Sequence, residues 1–79
     1  MTAPAGAIVS LYVDTRVMTL QPGDIVRTQT GRCYEVVTSR TQQRGKWAGI
    51  RQHLTAMVMP KHFEPVDGQR VLLIRWYRR

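Results

Sequence analysis

From Ala7 onward the chain alternates, with Val9, Leu11, Val13, Thr15 and Val17 on one side and Ser10, Tyr12, Asp14, Arg16 and Met18 on the other. A two-residue period rich in β-branched side chains predicts a strand with one buried and one wetted face, bent near Asp14-Thr15. Pro22-Gly23-Asp24 ends it, because proline has no N–H for a ladder and glycine admits the positive φ of a tight turn. A second strand is predicted over 25–29. Thr30-Gly31 then turns the chain into a third strand over 32–41, giving an antiparallel hairpin. Simple alternation along that third strand puts Tyr34, Val36 and Thr38 on one side and Cys33, Glu35, Val37 and Ser39 on the other.

Residues 42–52, QQRGKWAGIRQ, follow neither the helical nor the strand period. Gly45 and Gly49 interrupt any helix there, so the segment reads as a long loop or an irregular helical turn. Leu54, Ala56 and Val58 alternate with Thr55, Met57 and Met59 in a further strand that stops at Pro60, and Asp67-Gly68 marks another turn. The last strand, 70–79, opens with Val71-Leu72-Leu73-Ile74, apolar on both sides, which predicts that it crosses the middle of the fold with Trp76 on the core side. Short strands separated by regular turns, without a convincing helix, predict an all-β protein. The expected form is a small antiparallel five-stranded barrel or half-barrel over residues 7–79, with at most a short helical turn and a loose tail at 1–6.

Gly23-Asp24, Val26, Gly31, Tyr34 and Val36 or Val37 form the pattern G-D-x-V-x(4)-G-x-x-aromatic-x-V. This resembles the opening hairpin of SH3-like barrels, including the KOW-type domains of ribosomal and transcription-elongation proteins. The resemblance implies scaffold roles: a Gly-Asp turn into the strand, valines toward the interior, a glycine at the tip. It implies RNA contact less strongly, because KOW motifs carry a further glycine where this chain has Glu35. The Ala-, Arg- and Thr-rich composition is also similar to that of small orphan proteins of phages infecting high-GC actinobacteria.

Length and charge narrow the picture. Seventy-nine residues bury only about 60% of the surface exposed on unfolding, so most apolar residues are needed for the core. Twelve Lys and Arg against five Asp and Glu give a net charge of +7, and ten of the twelve are arginine. A field of that size draws polyanions, and arginine pairs two-pronged with phosphate or carboxylate. Charge alone also serves solubility. The single cysteine, Cys33, excludes an internal disulfide framework and fits a reducing cytoplasm, that of the host if the chain is phage-encoded. The apolar run from Ile8 to Val13 is far too short for a membrane span, and no amphipathic helical stretch points to a membrane surface.

Candidate chemistry lies in the basic residues. Between Glu35 and Glu64 the chain has no acid, yet it carries Arg40, Arg44, Lys46, Arg51 and Lys61 together with Trp47, His53 and His62. Cations along a phosphate backbone with an aromatic ring on a base are the ordinary means of holding a single strand. Trp47 has a second reading, as a plug folded into one end of the barrel. Arg27 and Arg32 flank the hairpin tip, and Arg78 and Arg79 end the chain without an acidic neighbour. Against an enzyme, Cys33 beside Tyr34 reads as a small buried hydrophobe, His53 and His62 lack metal-ligand spacing, and no phosphate loop or nucleophile elbow is present. No cofactor or metal is expected. The sequence therefore predicts a non-enzymatic module that contacts DNA or RNA through phosphates with low sequence specificity. The alternative is a module docking on an acidic surface of another protein, such as a host protein, or associating with itself.

Overall fold

The computed structural model describes residues 4–14 and 19–74 and the backbone of Tyr77–Arg78. The expected continuation of the first strand through Met18, the core placement of Trp76 and the exposure of Arg79 lie outside the described residues, as do the side chains of Tyr77 and Arg78. Among the described residues six strands make one sheet: β1 (Ile8–Asp14), β2 (Ile25–Arg27), β3 (Cys33–Thr41), β4 (Arg51–Val58), β5 (Val71–Leu73) and β6 (Tyr77–Arg78), in the order β5-β2-β3-β4-β1-β6. No helix occurs among the described residues. The protein is all-β, and its single open sheet fits the half-barrel form.

The strands follow from the alternation. Leu11 and Val13 on β1 and Leu54, Ala56 and Val58 on β4 are buried, and Tyr12, His53 and Met57 between them are half-exposed. β1 and β4 pair antiparallel from Ile8↔Met57 to Asp14↔Arg51, which aligns their apolar faces. Those faces meet Val26, Tyr34, Val36, Leu20 and Ile74 in one core. Burying each aliphatic side chain contributes about 1.5–3 kcal/mol, so placing a charge at Leu54, wholly buried, would break the sheet at its centre. Gly23, with φ of 94°, lets the chain turn into β2, where its N–H donates to the Val36 carbonyl at 2.8 Å.

Three features differ from the simple reading. β3 carries a bulge between Val36 and Thr38, so that Val36 pairs with Ala56 but Thr38 pairs with Thr55. One extra residue flips the alternation beyond it: Thr38 and Arg40 face outward, and Ser39 and Thr41 face inward. β5 pairs with β2 in parallel, whereas the other ladders are antiparallel. A parallel pair needs a long crossover, and the whole of β3 and β4 lies between these two strands. Finally, the C-terminal segment lies at the rims rather than through the middle. β5 flanks β2, β6 flanks β1, and Val71 and Leu73 remain 41% and 59% exposed. Both rims are thus lined by successive pieces of one stretch of chain. The described end of the tail, residues 4–6, is fastened to the domain by Gly6, which donates its N–H to the Val58 carbonyl at 2.7 Å.

Candidate nucleic-acid interface

The loop between β3 and β4 is held by its own hydrogen bonds. The Gln42 N–H donates to the Arg51 carbonyl and the Gly49 N–H to the Gln42 carbonyl, both at 2.8 Å, and the N–H groups of Ile50 and Arg51 converge on the Trp47 carbonyl at 3.0 and 3.1 Å. Gln42 Nε2 donates across the neck to the Arg44 carbonyl at 2.8 Å. Gly49, at φ of 74°, supplies the left-handed step that lets the chain re-enter β4. The loop is therefore a built turn that fixes where Trp47 stands.

Trp47 does not plug the barrel. It lies outside the core cluster, is 40% exposed, and has a cation over its ring on two counts. Arg51 Cζ is 4.7 Å from the ring centroid and Lys46 Nζ is 5.5 Å from it. The same Arg51 guanidinium lies 5.7 Å from the centroid of Tyr12, and Tyr12 stacks on His53 at 4.8 Å with 20° between planes. Lys46, Trp47, Arg51 and Tyr12 thus alternate cation and ring, and His53 ends the run as a second stacked ring. Such contacts contribute about 0.5–1 kcal/mol at exposed sites, and they restrict the guanidinium while its N–H groups keep their hydrogen-bonding capacity.

Sheet register extends the run. His53 lies opposite Tyr12 on β1 and opposite Arg40 on β3. The bulge is what brings Arg40 to this outer face, since uninterrupted alternation from Val36 would have sent it inward. Arg44 is exposed on the loop above. Asp14, opposite Arg51, brings one acid to an end that holds four cations. Arg78 falls opposite Tyr12 on the β1–β6 ladder, which places its backbone beside the same row.

The structure brings Arg40, Arg44, Lys46, Trp47 and Arg51 to one end and sets Arg27 and Arg32 at the other. Cys33 and Thr41 bound β3, and at about 3.3 Å per residue the two ends are roughly 25 Å apart. Arg27 is tied down there, its Nε donating to Cys33 Sγ at 3.4 Å, a bond that raises its already high pKa. Tyr12 is not a candidate on sequence grounds, and His53 enters there only as a neighbour of the basic residues. Tyr12's position on the wetted face of β1 is the available signal, but its contact with β4 depends on register between strands distant in sequence. Among the described residues no three His, Cys, Asp or Glu side chains converge as a metal site would require, and no helix is long and apolar enough to cross a membrane. Comparison with protein-family models, curated proteins and solved structures finds no match.

Proposed function

We propose that this protein is a small binding module that holds nucleic acid on the outer face of β1, β3 and β4, mainly through phosphate contacts. The observation that carries this reading is the Arg51 guanidinium held between Trp47 and Tyr12, with Arg40, Arg44 and Lys46 beside it. A guanidinium already restricted by two rings loses less freedom when its N–H groups meet a phosphate. Trp47 and His53 offer ring surface to bases, and ring stacking tolerates any sequence. The net charge of +7 adds long-range attraction to a polyanion. The hairpin's resemblance to KOW-type barrels agrees with this reading without carrying it.

The test is binding of single- and double-stranded DNA and RNA across a salt series. Removing a cation that meets one phosphate should flatten the slope of log K against log salt by about 0.7–0.9. The double variant Arg40→Ala/Arg51→Ala should weaken binding and flatten the slope together. Unchanged affinity and slope would remove the interface from this face.

A second reading, docking on another protein, is favoured by the exposed Val71 and Leu73 on β5. A stoichiometric partner that survives nuclease treatment in a pull-down would support it, and release of all bound material by nuclease would support the first reading.

A further inference from the structure

At the end remote from Trp47, the β2–β3 turn and the exit of β4 line a half-open pocket of about 640 Å³. Small-molecule sites fall in the range of about 300–1,000 Å³. Its lining divides by chemistry. Met59 and Pro60 supply accessible apolar surface with Val58 and Cys33 buried behind them, Arg32, Lys61 and Thr30 supply polar groups, and no acid takes part. Among the described residues the side chains of Arg32 and Lys61 have no hydrogen bond or ion pair.

The walls are firmly set. Buried Thr28 organises the turn: its N–H donates to the Arg32 carbonyl and its carbonyl accepts from the Gly31 N–H, both at 2.9 Å. Its hydroxyl accepts from the Arg32 N–H at 3.2 Å. The Met59 N–H donates to the Cys33 carbonyl at 3.0 Å and fastens one wall to the other. Cys33 Sγ is engaged by Arg27 and lies 3.9 Å from the Gly31 carbonyl, so the thiol helps to hold the turn and Arg27 adds positive charge behind it.

We propose that this pocket binds a phosphomonoester that carries a ring: a nucleoside monophosphate, free or at the 5′ end of a strand. The phosphate lies between Arg32 and Lys61 and the ring lies against Met59 and Pro60. Two unpaired cations suit an anion of nearly two charges better than a carboxylate. The arginine fork and the lysine point charge are the usual pair for phosphate oxygens. The proposal is independent of the outer-face interface.

Calorimetric titration of the full chain with AMP and with adenosine tests it, using Arg32→Gln and Lys61→Gln. Saturable AMP binding is expected, weakened about tenfold or more in either variant and about as much for adenosine, the scale of one charge-assisted hydrogen bond. Lys61→Arg should restore binding. A 5′-phosphorylated trinucleotide binding more tightly than AMP and than its 5′-hydroxyl counterpart identifies a strand end as the ligand, and the reverse order against AMP identifies the free nucleotide. Equal binding of AMP and adenosine, no saturation at millimolar AMP, or AMP affinity unmoved by both glutamine variants would overturn the proposal. Melting curves for each variant separate loss of the site from loss of the fold.

Discussion

Arg70 grips Asp24 across forty-six residues of chain, Nε donating to Oδ1 at 3.1 Å and Nη2 to Oδ2 at 2.5 Å. The same guanidinium donates to the Thr19 carbonyl at 3.1 Å, and the Ile25 N–H donates to the Arg70 carbonyl at 2.8 Å. Asp24 also closes its own turn by accepting the Gln21 N–H at 2.8 Å. The parallel β2–β5 pairing begins one residue later on both chains, at Ile25↔Val71. The fork therefore sets the register of the rim.

A pH dependence follows. The hydrogen bond from Arg70 is the main cause that holds the Asp24 carboxyl below its ordinary range, with burial opposing it and the Gln21 N–H helping. Because the folded pKa is depressed, the stabilisation is complete above the unfolded pKa and is lost as pH falls through the folded one. Asp24→Asn should therefore destabilise the protein at pH 7, and the gap from wild type should close in acid below the carboxylate range. Arg70 is half exposed, so water screens the charge term. Urea unfolding from pH 7 to pH 2 checks this, and a gap that stays constant would show that the carboxylate's charge contributes nothing.

Residues facing a single way were legible from the sequence. Leu11, Val13, Leu54, Ala56 and Val58 sit inward as their alternation requires, and the turns at Gly23-Asp24 and Thr30-Gly31 stand where glycine and proline chemistry puts them. The basic loop around Trp47 was legible as charge without acid. The bulge at Val37, the parallel β5 and the Asp24–Arg70 fork were not. Each depends on which strand lies beside which, and local propensity does not encode pairing between residues as distant as Asp24 and Arg70. Arg51 was legible as a cation, whereas its position between Trp47 and Tyr12 required the β1–β4 register.

Deleting Val37 tests the bulge. Val37 is the extra residue on β3 and is 44% exposed, so its removal lets Val36 and Thr38 pair as ordinary neighbours with Arg40 still outward. The shortened protein should fold and keep its nucleic-acid affinity. Deleting Leu54 instead would exchange the faces of one half of β4 and should abolish the cooperative melt, since a one-residue slip moves a whole apolar set to solvent.

Arg51→Lys separates shape from charge. Lysine preserves the positive charge but lacks the planar guanidinium that lies over Trp47 and Tyr12. Affinity for single-stranded nucleic acid should fall while the salt slope stays close to wild type. Trp47→Ala should cost about 1–3 kcal/mol of binding, the range for one base–ring stack, again with little change of slope. Filter binding at several salt concentrations reads both quantities. Wild-type affinity in Arg51→Lys would mean that stacking plays no part in placing the charge.

Gln52 is a wholly buried polar side chain that is half satisfied: its Oε1 accepts the Leu20 N–H at 3.1 Å, and its Nε2 has no partner among the described residues. An unpaired buried donor costs about 1–3 kcal/mol, comparable to what depriving the Leu20 N–H of its acceptor would cost. Methionine has nearly the same length and neither group, so Gln52→Met exchanges one orphan for another and should lie within about 1 kcal/mol of wild type. Gln52→Ala orphans the Leu20 N–H and also opens a void beside Val13 and Leu54, and should cost about 2 kcal/mol or more. Thermal and urea melts of the two variants distinguish the terms. If methionine proved as damaging as alanine, the Leu20 bond would outweigh both the orphan amide and the packing, and Gln52 would be retained chiefly as the anchor for the chain entering β2.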